Sequence, residues 1–319
     1  MFHPGSVSNI KSAIPDPLLE EHRQILRSPL RYPGSKRRLC EYIAEILKFN
    51  EMKPSLFVEP FAGGASVSLY LMSMGLVDKI GLGEKDPLIA YFWKTVFHDT
   101  DWLIEQLDSI DISLKTWNKL KRKKHKNQRD YAIACIFLNR TSFSGILHSG
   151  AGPIGGQAQR SDYKIDCRFR LKEIKRRIKT AGEYADNVEF IWKRDWKQTI
   201  NTVEKKRKGK KGSVFYYLDP PFYNKGKHLY NYYFTNRQHK AMCEFVGSLK
   251  TPWLISYDHA DAIIEMYSAN GFPHKPIEVI YSAATATGSH SASEVILTNR
   301  KAPPDLLDTL LPKLQDKRL

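Results

Sequence analysis

Asp219-Pro220-Pro221-Phe222 concentrates more chemistry than any other four residues of the sequence. It follows Val214-Phe215-Tyr216-Tyr217-Leu218, a short apolar run that reads as a buried strand. Each proline holds the residue before it in extended geometry, so Asp219 and Pro220 stand stiffly at a strand's carboxyl end. Open α/β sheets bind ligands at that end. Neither proline has an N–H, so the turn presents carbonyl acceptors. A carboxylate beside a fixed carbonyl suits an amino group with two hydrogens to donate, and Phe222 adds a flat face for stacking, about 1–3 kcal/mol per base. The same tetrapeptide, taken alone, also fits the plain end of a strand.

A second turn carries weaker signals. Gly63-Gly64 lies between the apolar run Leu56-Phe57-Val58, closed by Glu59, and a helical stretch at 65–74. Glycine there lets backbone N–H groups approach a ligand. Some twenty residues on, Glu84 ends a second strand read at 77–83, a spacing that suits a carboxylate accepting from ribose hydroxyls. The spaced glycines of dinucleotide dehydrogenases are missing, and a structural glycine turn fits equally well. No metal constellation is present: Cys40, Cys135, Cys167 and Cys243 are scattered and form no CxxC pair. The absence of a His-x-Glu with paired PCxxC argues against a zinc deaminase, and the absence of a Pro-Cys dipeptide against a cytosine-C5 enzyme.

The elements that position these turns alternate. Helix at 39–49, strand, turn, helix, strand and a helix at 88–97 are the grammar of a doubly wound α/β sheet. Residues 116–186 break the rhythm with basic stretches, one apolar helix (Tyr131–Leu138) and a glycine-rich loop at 149–157, and read as an inserted lobe. Strand-like runs return at 188–192, 214–218, 253–257, 277–281 and 294–298, the last two as a closing hairpin. The expected organisation is an extension at 1–27, a core half at 28–115, the insertion at 116–186, a second core half at 187–300 and a tail at 301–319.

The 319 residues are 42% hydrophobic and 26% charged, with 50 Lys+Arg against 34 Asp+Glu, a net charge of +16. The excess sits in 115–129, 168–179 and 205–211; the rest of the chain is mildly acidic. Concentrated basic segments on a near-neutral body point to a polyanion, nucleic acid first, although any one run also fits a solvated face. The run at 205–211 reads as an exposed linker. No apolar run approaches the about 18 residues of a membrane span. The N-terminus lacks a basic-then-apolar signal pattern, so the expectation is a cytoplasmic, nucleoid-associated protein. Tyr230, Tyr232 and Tyr233 follow the second turn closely and are weak candidates to contact a base held there or the neighbouring backbone, although an aromatic cluster more often fills a core.

Pro33-Gly34-Ser35-Lys36, Phe57-Val58-Glu59-Pro60-Phe61-Ala62-Gly63-Gly64 and Asp219-Pro220-Pro221-Phe222 occur in that order. The set resembles the Dam-like (D12 class) N6-adenine DNA methyltransferases, over about Arg31 to Asn299. Asn139-Arg140-Thr141-Ser142-Phe143-Ser144-Gly145 is similar to that class's Asn-Arg…Phe-Asn-Gly segment, with Ser144 for the second Asn. The resemblance implies a Rossmann-like seven-stranded fold that uses S-adenosylmethionine, with a smaller target-recognition lobe inserted between the two halves. It implies that Tyr32 and Lys36 contact the methionine end of the cofactor, that Glu59, Phe61 and Gly63 line its pocket, that Glu84 holds the ribose, and that Asp195 with Trp196 lies near its adenine. Asp219 through Phe222 would hold the target adenine, extruded from double-stranded DNA at a few kcal/mol. Lys121, Arg122, Lys123, Lys124, Asn139 and Arg140 would contact DNA from the inserted lobe. No metal is implied. Two departures stand out: Ala65 replaces a glycine found in some members, and Phe222 replaces the usual Tyr. Implied partners are DNA and a separately acting restriction endonuclease, with the enzyme a monomer or weak dimer. Cytosine N4, RNA adenine and a catalytically silent DNA-binding homologue are the alternative readings.

Overall fold

The computed structural model describes residues 24–272, 274–281 and 290–301. A 3-10 turn at Lys36–Leu39 leads into helix α1, Cys40–Phe49, whose Tyr42, Ile43, Ile46 and Leu47 recur at helical spacing and are buried. Strand β1, Leu56–Glu59, is buried along its whole length. Helix α2, Ser66–Ser73, follows the glycine turn, and strand β2 spans Ile80–Glu84. β2 starts later than residue 77 because the preceding residues fold back: Leu76 N–H donates to the Leu71 carbonyl and Asp78 N–H to that of Pro54. Helix α3, Pro87–His98, begins with a proline in its first turn, capped by Asp86, which accepts from Leu88 N–H at 2.9 Å.

Helices α4 (Thr100–Asp108), α5 (Leu114–Arg122), α6 (Gln128–Thr141) and α7 (Leu171–Gly182) occupy the chain before strand β3, Val188–Lys193. Trp117, Leu120, Phe137, Ile174 and Ile178 from this stretch are buried in the same apolar cluster as Phe57, Ile80 and Leu82 of the sheet. Then come α8 (Trp196–Arg207), β4 (Val214–Leu218), α9 (Gly226–Leu229), α10 (Asn236–Gly247), β5 (Trp253–Asp258), α11 (Asp261–Ser268), β6 (His274–Tyr281) and β7 (His290–Thr298).

The result is one mixed α/β sheet in the order β3-β2-β1-β4-β5-β7-β6. The first five strands are parallel; β7 runs antiparallel to β5, and β6 to β7, as the expected hairpin. Period-two alternation splits the side chains between two faces. Phe57, Phe215, Tyr217 and Leu254 join the cluster with α1 and α3, whereas Val58, Tyr216, Leu218 and Ile255 join the one with α8, α10 and α11.

The basic run at 205–211 is a linker only in part: 208–211 are exposed and lead into β4. Lys205, Lys206 and Arg207 form the last turn of α8, where cations complement the helix dipole, and Arg207 pairs with Glu189 at 3.5 Å. Because the run precedes β4, it sits at the amino edge of the sheet, opposite Asp219. Among the described residues, no helix is long and apolar enough to cross a membrane. Residues 1–23 of the expected extension, the 282–289 connection and the tail beyond Lys301 lie outside the described residues.

Candidate active site

Chain order reverses between β1 and β4, and this is where an open sheet leaves a crevice at its carboxyl edge. Each parallel strand ends in or near an acid there: Glu59 at the end of β1, Glu84 at the end of β2, Asp195 after β3, Asp219 after β4 and Asp258 at the end of β5. An open cleft of about 1080 Å³ joins Tyr32, Lys36, Glu59, Phe61, Gly63, Glu84, Asp195, Trp196, Asp219 and Pro221. Residues far apart in sequence thus share one wall because the strands deliver them to one edge.

The β1–β2 half is a tightly bonded turn. Glu84 Oε2 accepts from Gly63 N–H at 3.0 Å and Oε1 from Asp86 N–H at 2.9 Å. Trp93 Nε1 donates to the Gly63 carbonyl at 2.8 Å. The Gly63 N–H is therefore committed to Glu84 rather than offered to a ligand, which corrects the expectation. Gly63 is required for a different reason: its φ is +45°, and an added Cβ would lie 2.7 Å from the Tyr32 ring. Glu59 is 3% exposed and accepts from Ser68 N–H in the first turn of α2. Burial pushes the Glu59 carboxyl up to about 8 and that of Glu84 up to about 7. Phe61 and Trp196 stack with centroids 6.2 Å apart, and Asp195 caps α8 by accepting from Lys197 N–H at 2.9 Å.

The β4 half is built around a cation. Lys36 is 3% exposed, with its Nζ 3.0 Å from Asp219 Oδ1 and 3.2 Å from Glu294 Oε1. It also donates to the Gly34 carbonyl at 3.1 Å and lies 4.6 Å from the Phe222 ring centroid. Lys36 thus faces two carboxylates, a carbonyl and a ring. Lys36 is no surface charge; it is buried at the cleft wall as the partner of Asp219 and Glu294. Burial alone would lower its pKa, but Asp219 and Glu294 outweigh that and hold it well above the ordinary lysine value. Asp219 is raised by burial, with Lys36 opposing. Ser256 Oγ also donates to Asp219 Oδ1, at 3.3 Å. The half-buried Phe222 packs over Gly34, where an added Cβ would meet its ring at 2.6 Å, and Pro220 is buried. Asp258 anchors the turn by accepting from Tyr223 N–H at 2.7 Å and Asn224 N–H at 3.1 Å.

Glu294, Asp258 and Asn231 escaped the sequence reading. Glu294 is a lone acid in an apolar strand. Asp258 could have been found by the rule that marked Glu84, an acid at a strand's carboxyl end. Tyr230 reaches the Pro33 carbonyl at 3.2 Å and stacks on Tyr32. Tyr232 and Tyr233 line the cleft at 42% and 43% exposure, so they are not core. Asn231 Nδ2 donates to Asp86 Oδ2 at 3.0 Å, bridging the two halves.

The expected DNA contacts divide. Arg122, Lys123 and Lys124 are exposed, with Lys123 paired to Asp130 at 3.0 Å. Lys121 is half-buried and donates to the His148 carbonyl at 2.6 Å. Asn139 and Arg140 are turned inward, contrary to expectation. Asn139, fully buried, accepts from Arg31 N–H at 2.7 Å and donates to the carbonyls of Arg31 and Gly145. Arg140 donates to the Pro29 carbonyl. These bonds fasten the segment before Tyr32 to α6 and satisfy buried backbone atoms.

A switch-point crevice walled by carboxylates and aromatics is that of a ligand-binding α/β enzyme. The sequence profile of the D12 class N6 adenine-specific DNA methyltransferases matches residues 32–283, and the chain belongs to that family. It is a DNA methyltransferase acting on adenine N6. It is similar to the type II methyltransferase M.MjaIII of Methanocaldococcus jannaschii, 29% identical over 212 residues that span 60% of this chain and 68% of that protein.

Proposed function

We propose that this chain methylates an adenine extruded from double-stranded DNA, with S-adenosylmethionine as methyl donor, on a seven-stranded methyltransferase core with a target-recognition lobe at 116–186. The cleft suits that donor. Glu84 keeps carboxylate lone pairs for ribose hydroxyls, Phe61 and Trp196 form an aromatic wall for a purine, and the glycine turn leaves room where a Cβ would collide with Tyr32. When bound, S-adenosylmethionine supplies an electrophilic methyl on a sulfonium.

The chain's residues do the rest. Asp219 and the Pro220 carbonyl accept the two N6 hydrogens, so the amine lone pair is turned out of conjugation and aimed across the cleft. Phe222 offers its face to the base. A carboxylate next to nitrogen that gains positive charge favours the transition state. Exposed Arg122, Lys123 and Lys124 contact phosphates, giving salt-dependent binding. The organisation read at 1–27, 28–115, 116–186, 187–300 and 301–319 completes this picture for a monomer or weak dimer in the cytoplasm. A type II methyltransferase among the relatives supports a restriction–modification setting, with a solitary role as the second possibility.

The observation carrying this reading is that Asp219 and the Gly63–Glu84 turn open on one cleft. The test is to incubate the protein with methyl-labelled S-adenosylmethionine and DNA from a host lacking methylation, then separate the nucleosides. Label in N6-methyldeoxyadenosine is expected. Label in N4-methyldeoxycytidine, or none, would overturn the reading.

A further inference from the structure

Glu294 presents a puzzle that the functional reading leaves untouched. It is 1% exposed, and β7 places it opposite Asp258 of β5. Its one charged partner among the described residues is Lys36, and neither of its oxygens has a hydrogen bond of good geometry there. A buried carboxylate so poorly supported is costly to keep ionised, and burial raises it to about 7 with Lys36 opposing. Lys36 does not need it for neutrality, because Asp219 alone would balance the ammonium. When ionised, the second acid therefore makes this buried group of three negative overall, beside the place where the amine must bind.

We propose that Glu294 is a positioning residue for methyl transfer, acting through Lys36. By sharing the ammonium, it lets Lys36 fix Asp219 through Oδ1 without fully neutralising that carboxylate. Ser256 holds the same oxygen, so Oδ2 is left to accept the N–H of the target amine. In a low-dielectric pocket the extra negative charge also offsets Lys36 itself, which would otherwise repel a donor sulfonium and a nitrogen turning cationic. Without Glu294, Lys36 and Asp219 become a closed one-to-one pair, a poorer acceptor and a worse electrostatic partner. This inference rests on Asp219 being the acceptor of the amine.

The experiment compares wild type, E294Q, E294D, K36M and K36M/E294Q, using S-adenosylmethionine and bulk unmethylated DNA. Turnover, KM for DNA and calorimetric affinity for S-adenosylmethionine are read together, with thermal melting as the check on folding. E294Q is expected to lose about tenfold to a hundredfold in kcat, the range for a misplaced catalytic group, with KM and cofactor affinity unchanged. E294D should recover part of the loss. In the K36M background, the Glu294→Gln change should cause no further loss, because the group through which it acts is gone. Wild-type kcat in E294Q, or an equal loss with and without Lys36, overturns the inference. Should E294Q melt below the assay temperature, K36M against K36M/E294Q decides: equal turnover supports the proposal and a further drop refutes it. Wild type that makes no N6-methyladenine sinks the functional reading itself, whereas active wild type with an unaffected E294Q sinks only this step.

Discussion

The two halves of the cleft use their acids in opposite ways. On the β1–β2 side, Glu59 and Glu84 accept from backbone N–H groups of α2, Gly63 and Asp86. Those bonds are part of the fold, so that wall is preformed. On the β4–β7 side, Asp219 and Glu294 lean on one lysine side chain. A side-chain ion pair can share its acceptor with an incoming amine; a backbone turn cannot without unfolding locally. On the proposed function, the first half holds a ligand in one pose and the second exchanges partners during the reaction.

The sharpest way to break this comparison is Asp219→Ala. Removing one preorganised electrostatic contact is expected to lower methyl transfer about 10²–10³-fold. Affinity for S-adenosylmethionine should survive, because Asp219 belongs to the other half. Calorimetry alongside nucleoside analysis checks both. Loss of cofactor binding together with turnover would mean that the halves are one unit.

Gly63→Ala probes the rigid half. The new methyl meets the Tyr32 ring at 2.7 Å in a backbone with φ of +45°, so strain of order 1–3 kcal/mol is expected. Cofactor affinity should fall about tenfold or more, while turnover at saturating cofactor falls far less. A variant impaired in kcat alone would contradict the division of labour.

The buried acids of the rigid half also give a pH signature. Glu59 and Glu84 are neutralised more readily in the fold than in the unfolded chain, with values of about 8 and 7 against an ordinary 4.5. The native state therefore binds more protons, and stability falls as pH rises through that window. His239 acts the other way, since burial lowers it to about 4 from 6.5; its contribution is complete above about pH 6.5. Between there and pH 8 the melting temperature of the ligand-free enzyme should drop. Glu59→Gln, which keeps the acceptor for Ser68 N–H, should flatten the slope. An unchanged slope in that variant would remove Glu59 as its source.

The same contrast explains what could be read from sequence. The strands, the two turns and Glu84 were legible because apolar runs ending in an acid or in Asp-Pro-Pro have few other structures open to them. Lys36 was legible as a residue of interest but not as the partner of Asp219, since that pairing depends on how a 3-10 turn lies against β4. Glu294 was invisible because its strand reads as an ordinary apolar edge. Asn139 and Arg140 were singled out by resemblance to a family segment, which does not say which way their side chains face; the packing of α6 against the segment before Tyr32 turns them inward. The run at 205–211 was legible as exposed chain before β4 but not as the last turn of α8, and charge density does not say which edge of a sheet it occupies.

The smallest effect expected concerns Ala65, which caps α2 in the left-handed region at φ +49°. A side chain there clashes with its own carbonyl, by roughly 1 kcal/mol or slightly more. Glycine relieves that strain but gives back part of the gain as extra freedom of the unfolded chain. Ala65→Gly should therefore stabilise the enzyme by about 0.5–1 kcal/mol, a rise of a few degrees at most in melting temperature. Its effect on turnover should be slight, because the turn is already fastened by Glu84 and Trp93. A large gain in kcat from this substitution would show that the wall described as preformed is held by strain, and that its stiffness limits the reaction.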